Sequence, residues 1–319
     1  MMKKYLFLIT IIIVCLCNRS FSQTDTSVND LEKMLNQDSN ANKAHKYVSA
    51  TFKATRIVNG QSIENVGKGV LNFLIQHRFG PINSGTVNFF GLDNATTRLA
   101  LDYGLTDWLE IGVGRSTLEK EFDGFIKLKL FRQKEDRPLS FGVSYVGGMY
   151  IQSLPMSMIP IDTGQTYYFS NRICYMNQIL IAHKFSNLFS LQIMPTHIHY
   201  NIVDSTKDNN DVLALGIGGR IKLSNRIALT GEYYYTFDPL TEKNGQTIHN
   251  TLSFGIDIET GGHVFQLIFT NSTGITERQV IGQTTGDWAK GDIHFGFNIS
   301  RVFTIVQPKE FRNSRNKIW

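Results

Sequence analysis

A period of two runs through this chain from Tyr47 onward, and no other feature limits its fold so strongly. In Arg98 to Leu105, residues Leu99, Leu101, Tyr103 and Leu105 share one face, with Arg98, Ala100, Asp102 and Gly104 on the other. After Thr106 and Asp107 the alternation resumes, Leu109, Ile111 and Val113 opposing Glu110, Gly112 and Gly114. Two such runs joined by a short polar turn predict a β-hairpin.

The turn recurs. Leu105-Thr106-Asp107-Trp108-Leu109 aligns with Phe185-Ser186-Asn187-Leu188-Phe189 and with Leu223-Ser224-Asn225-Arg226-Ile227. Each places an apolar residue, a hydroxyl residue and then Asp or Asn, whose side chains bond nearby backbone groups in turns. Ile299-Ser300-Arg301-Val302-Phe303-Thr304-Ile305 reads as a looser fourth copy, without the Asp or Asn. Asn187 to Asn225 is 38 residues and Asn225 to Arg301 is 76, twice that, so a further turn is expected midway, at Thr260-Gly261-Gly262. A unit of this length holds two strands of roughly 10 residues, a short turn and a long loop. The long connections are expected near residues 152 to 170, 201 to 210, 238 to 246 and 272 to 290, on the outer side. Counting alternating runs gives 12 to 14 strands, Thr86 to Phe90 being the weakest.

The same two faces continue later in the chain. Leu213, Leu215, Ile217 and Ile221 oppose Ala214, Gly216, Gly218, Arg220 and Lys222; Leu252, Phe254, Ile256 and Ile258 oppose Ser253, Gly255, Asp257 and Glu259. Ile293, Phe295, Phe297 and Ile299 oppose His294, Gly296, Asn298 and Ser300. A secreted soluble sandwich shows the same alternation with its apolar face inward. Export and aromatics near strand ends (Tyr103, Trp108, Phe185, Tyr233, Tyr235) favour a membrane instead.

Export is read from the N-terminus. Lys3 and Lys4 precede a mostly apolar run from Tyr5 to Cys17, with small residues at Ser20 and Ser22. The run is shorter than the roughly 20 residues of a spanning helix, and its layout is that of a cleaved secretory signal ending at Ser22. Neither Cys15 nor Cys17 follows a small residue, so lipidation is not expected, and Cys174 is left as the single cysteine of the mature chain. An intramolecular disulfide is thereby excluded. Loss of Lys3, Lys4 and Arg19 lowers the net charge from +5 to +2, and the last eleven residues carry a local +3, leaving a nearly neutral body. Nothing there grips nucleic acid. Charged residues make up 18% and aromatics 12%, and no other stretch is apolar enough for a membrane helix. A membrane protein of this kind must close its strands into a ring. The expected organisation is a signal peptide (1–22), a polar periplasmic leader (23–46), an antiparallel up-and-down transmembrane β-barrel of about 12–14 strands (47–306) and a basic C-terminal tail (307–319). In the leader, Val28, Leu31, Met34 and Leu35 could form a short amphipathic helix; a plug segment and a disordered leader both fit its composition.

Several runs carry a resemblance: Gln76-His77-Arg78-Phe79-Gly80, Phe90-Gly91-Leu92-Asp93-Asn94, Tyr103-Gly104-Leu105-Thr106-Asp107 and Gly112-Val113-Gly114-Arg115-Ser116. So do Gly216-Ile217-Gly218-Gly219-Arg220, Asp257 to Phe265 and Gly291 to Asn298. Together they resemble an uncharacterised family of outer-membrane β-barrels from the Bacteroidetes, a domain of unknown function. The resemblance implies a barrel in the cell outer membrane and brings no activity with it. Many such barrels end on an aromatic residue of the last strand, whereas here a basic tail follows Ile305 and ends at Trp319.

If the apolar face meets lipid, the polar face lines the lumen. It gathers Arg98, Lys127, Lys129, Arg220 and Lys222 against Asp102, Glu110, Glu232, Asp257 and Glu259. Five charges of each sign predict no strong ion selectivity. The glycines on that face (Gly112, Gly114, Gly142, Gly216, Gly218, Gly255, Gly296) predict close approach to the wall and a narrow interior. His197 and His199 share a face, with no further ligand recognisable beside them, so no metal site is expected and no cofactor is implied. Gly112-Val113-Gly114 and Gly216-Ile217-Gly218-Gly219 open no helix and are not phosphate loops. Met156 and Met158, with Pro155 and Pro160, fall in an outer loop and read as loop packing. No motif unites serine and histidine as a barrel hydrolase requires, so no enzyme is expected. The expected function is a channel or transporter for a small solute; the alternative is a closed anchoring barrel that binds a partner through loops or tails. The expected partners are outer-membrane lipid, the barrel-insertion machinery and a small solute.

Overall fold

The computed structural model describes residues 47–306 apart from 138, 156–166, 204–207 and 244. The expected signal, leader and basic tail, and Met156, Met158 and Pro160, lie outside the described residues. Twelve strands close into one barrel: β1 (Val70–Pro81), β2 (Ala95–Gly104), β3 (Leu109–Ser116), β4 (Glu121–Phe131), β5 (Gly142–Gln152), β6 (Ile173–Lys184), β7 (Phe189–Tyr200), β8 (Asp211–Lys222), β9 (Ile227–Thr236), β10 (Thr251–Thr260), β11 (His263–Thr270) and β12 (His294–Thr304). Each pairs antiparallel with its neighbour in sequence, and β1 closes the ring by pairing with β12 as well as β2, setting Ile75 opposite both Ile299 and Leu99. Closure satisfies the backbone of every strand, which hydrocarbon demands.

The two faces fall as the alternation predicts. Leu215 and Phe254 are 42% and 49% exposed, whereas Asp257 and Arg220 are 2% and 6% exposed. The apolar face therefore looks outward and the charged face inward, the arrangement of a barrel in lipid and the reverse of a sandwich. Aromatics mark both ends of the outer surface: Phe185 stacks on Phe189 at 5.5 Å near one rim, and Tyr235 meets Phe237 edge-on at 5.3 Å near the other.

Three of the recurring turns are built alike. The Thr106 hydroxyl accepts from the Leu109 N–H at 3.0 Å, Ser186 from Phe189 at 3.1 Å and Ser224 from Ile227 at 3.1 Å. In the same turns the amides of Leu105, Phe185 and Leu223 donate to the carbonyls of Leu109, Phe189 and Ile227. The hydroxyl thus does the bonding that the sequence assigned to the neighbouring Asp or Asn. The midway turn forms at Thr260 to Gly262, Gly261 taking a φ of +48° that favours glycine. The fourth copy is no turn: Ile299 to Thr304 lie within β12, where Ser300 donates across the sheet to the Val264 carbonyl at 3.4 Å. Thr86 to Phe90 is not a strand either; it folds as a helical turn, Thr86–Gly91, in the loop after β1.

The four turns share one end of the barrel with the strand ends that flank the longer β4–β5 connection; the strand ends that flank the long connections after β1, β5, β7, β9 and β11 lie at the opposite end.

One expected piece of wall is elsewhere. The barrel was expected from Tyr47, but the first strand begins at Val70. The segment ahead of it enters the barrel. The Val48 N–H donates to the Gln133 carbonyl at 2.9 Å and the Gly69 N–H to the Gly104 carbonyl at 2.8 Å, so both ends of the segment sit at the short-turn mouth. Between them the chain doubles back through Ile57 and Gly60, whose amide and carbonyl bond at 2.9 Å, and Arg56 bridges to Gln61. Both faces of this luminal hairpin find partners inside the barrel, so its sequence looks like a strand without being one.

Candidate functional site

The interior of the barrel is the candidate site, and two inserts occupy it. The first is the hairpin. Its tip is gripped by Glu232 of β9, whose carboxylate accepts the backbone N–H groups of Val58, Asn59 and Gly60 at 3.3, 2.8 and 3.1 Å. Bonds to an ionised acceptor stabilise by about 1.5–3 kcal/mol each. Around the ring, Gln266 donates to the Ile57 carbonyl at 2.9 Å, Asn298 to the Val58 carbonyl at 2.9 Å and Gln192 to the Gln61 carbonyl at 2.7 Å. Arg78 of β1 donates to the Asn59 side chain at 2.7 Å. The backbone of a segment with no sheet partner is thus met by inward side chains from β7, β9, β11 and β12, and its Asn59 side chain by β1.

The apolar side of the hairpin packs as well. Phe52, Ile57, Val58 and Ile63 are buried with Phe125, Met194 and Tyr234 of the wall. Close approach explains two glycines. A Cβ on Gly218 would lie 2.5 Å from the Ile57 side chain, and one on Gly60 would collide with the Tyr234 hydroxyl.

The second insert comes from the opposite mouth. The loop after β11 carries a short helix, α1 (Glu277–Gly282), every residue of which is buried. Arg278 forms ion pairs with Glu119 and Glu121 at 2.6 Å each, and the Val280 carbonyl accepts from the Thr251 hydroxyl at 2.5 Å. Burial alone would raise the Glu119 carboxyl, but the Arg278 guanidinium and Lys243 ammonium beside it outweigh that and hold it at about 2. The two inserts meet at a buried ion pair between Arg56 and Glu277, whose carboxylate also accepts from the Tyr150 hydroxyl at 2.9 Å.

The ten inward charges expected from sequence do face the interior, most of them engaged with one another or with the inserts. Lys127 and Glu110 pair at 3.5 Å with neither side chain exposed; Lys127 also reaches Gln61, and Glu110 accepts from the Val66 N–H at 2.8 Å. Arg98 pairs with Asp123, and Asp102 accepts from Asn72 at 3.3 Å. Asp257 accepts from Gln266 at 2.9 Å, and Arg220 reaches Glu259 at 3.3 Å. Lys129 and Lys222 stand in cavities near the short-turn mouth. Sequence reasoning missed Arg56, Asn59, Glu277 and Arg278, which hold the inserts. Thr276-Glu277-Arg278-Gln279 reads as an exposed polar loop, and only the fold turns it inward.

A carboxylate does stand beside the two histidines of β7: His197 Nε2 and His199 Nδ1 each lie 2.8 Å from one Asp211 oxygen. The sequence did not reveal it because Asp211 begins the next strand, across a long loop.

Among solved structures, the chain is similar to the NanC porin, at 10% identity over 73% of this chain and 98% of that one, with a TM-score of 0.46. It is also similar to an outer membrane channel from Pseudomonas putida F1, at 12% identity over 77% and 100% of the two chains, with a TM-score of 0.46. An active-site mutant of outer membrane phospholipase A from Escherichia coli matches at 12% identity over 75% and 91%, with a TM-score of 0.41. A search of curated proteins found no match. The model of one family, described as a membrane-bound β-barrel domain (DUF5777), matches residues 52–303, which takes in the luminal hairpin as well as the wall. With its apolar face turned outward and nearly all of its barrel inside that match, this chain belongs to the membrane-bound β-barrel domain family.

Proposed function

We propose that this protein is a stoppered outer-membrane channel for a small solute, closed at rest by its own hairpin. One observation carries the reading: a twelve-stranded bore is filled by two non-strand inserts, one from each mouth. About eight strands make a barrel that wall side chains alone can fill. An anchor needs no more than that. A wider bore closed by a separate, largely polar segment is what a channel with a removable stopper requires. The ten inward charges would then line the path once the hairpin leaves.

A second reading, a closed barrel that anchors a partner through its loops or tails, is favoured by the complete burial of Glu110 and Lys127. Planar-bilayer recording separates the two. The full-length protein is expected to show little conductance. A variant with residues 53–66 replaced by a glycine-serine linker, and an R56A/E232A variant with the hairpin loosened, are expected to conduct. Absence of conductance in both variants, once folded, would refute the channel and favour the anchor.

A further inference from the structure

The ten inward charges cancel when counted, yet the fold does not mix them evenly. At the short-turn mouth, between the hairpin and the ends of β6, β8 and β10, lies a cavity of about 520 Å³ lined by Lys53, Lys184, Arg220, Lys222 and a single carboxylate, Glu259. Glu259 is shared, 2.9 Å from Lys53 and 3.3 Å from Arg220. Lys184 donates to the Ser49 carbonyl at 3.0 Å, which leaves its charge unneutralised. Lys222 has no acidic partner among the described residues.

Arg220 supplies an independent observation. Its side chain is 7% exposed, and a buried guanidinium with five donors needs acceptors around it. Among the described residues it has one, Glu259, through a long bond, and its Nε–H has none. With four cations against one carboxylate in its lining, and Asp257 the further carboxylate acting on Arg220 from the wall, the cavity is net positive and suited to an anion.

We propose that this cavity is a binding site for a small organic anion bearing phosphate or carboxylate groups. Arg220 offers the planar fork that suits either group, and Lys53, Lys184 and Lys222 add charge around it. The ligand competes with Glu259 for Lys53 and Arg220. Because Lys53 belongs to the hairpin and Arg220 to the wall, occupancy breaks one tie between stopper and barrel. As an assignment of the channel's solute class this rests on the channel reading; the binding site itself does not.

The test is calorimetric titration of the full-length protein in detergent micelles with inorganic pyrophosphate and, separately, with citrate at low salt. One saturable site is expected, weakened at least tenfold in R220Q/K222Q and in K53Q, and weakened by added sodium chloride. K53Q keeps the test decisive should the wall variant misfold, since Lys53 is a partly exposed hairpin residue. K290Q, at the opposite end of the barrel, is expected to bind as the parent does. Absence of saturable binding by either anion, or binding unchanged in R220Q/K222Q and K53Q, overturns the proposal. Equal competition by a long polyglutamate overturns the small-anion assignment, because a recessed cavity excludes a polymer. Conductance after hairpin removal without anion binding sinks the site and spares the channel; binding without conductance in any variant does the reverse.

Discussion

Arg56 and Glu277, 221 residues apart in sequence, form a buried ion pair at the point where the two luminal inserts meet. Arg56 rises from the short-turn mouth on the hairpin, and Glu277 descends from the long-loop mouth at the start of α1. Neither insert is a strand of the barrel, and this contact ties one to the other.

Removing one partner strands a buried charge, which costs about 3–5 kcal/mol. R56A is therefore expected to lower the free energy of unfolding, read from urea denaturation in detergent, by that order. R56M/E277L, which removes both charges, should recover most of the loss. Equal destabilisation by the single and double variants would show that the pair is not coupled.

Glu232 is expected to decide how firmly the hairpin tip is held. With three backbone donors on its carboxylate, E232A should raise amide exchange at Val58, Asn59 and Gly60 by one to two orders of magnitude. Strand amides near Glu232 should change much less. Exchange measured by mass spectrometry at unchanged tip rates would remove Glu232 from this role.

The turns offer a smaller effect with a sharp contrast. Because the Ser224 hydroxyl accepts from Arg226 and Ile227 at 3.2 and 3.1 Å, S224A should cost about 1 kcal/mol in a denaturation series. N225A should cost less. The opposite ranking would restore the assignment made from sequence alone.

That reversal shows what the sequence discloses and what it hides. Alternation fixed which side of each strand meets lipid, since Leu215 and Asp257 obey it, and the spacing of turns located the long loops. Tyr47 to Gly69 deceived because a hairpin packed inside a barrel has two buried faces and the composition of a strand. The charges on the inner face deceived because counting ignores position: Glu110 and Lys127 neutralise each other on one side of the bore, while Lys53, Lys184, Arg220 and Lys222 crowd one mouth. No local pattern marks Glu277 or Arg278 as buried; their ion-pair partners lie 157 or more residues away.

Acid should loosen the α1 insert in a defined window. Glu119, held at about 2 by Arg278 and Lys243, has a folded value below its unfolded 4.5, so its contribution is complete above pH 4.5 and is lost as pH falls toward 2. The stability advantage of the parent over E119Q is expected to be lost mainly between about pH 5 and pH 2. A difference that disappears at pH 6 would contradict this.

The dryness of the mid-barrel can be measured directly. Gln178, mid-strand on β6 and fully buried, bonds to Thr196 at 2.8 Å, while Ile179 beside it faces outward. With Cys174 replaced by alanine, Q178C is expected to resist a charged thiol reagent applied from either side of the membrane, and to react once residues 53–66 are replaced by a flexible linker. Prompt labelling of Q178C with the hairpin intact would mean that the stopper does not close the bore.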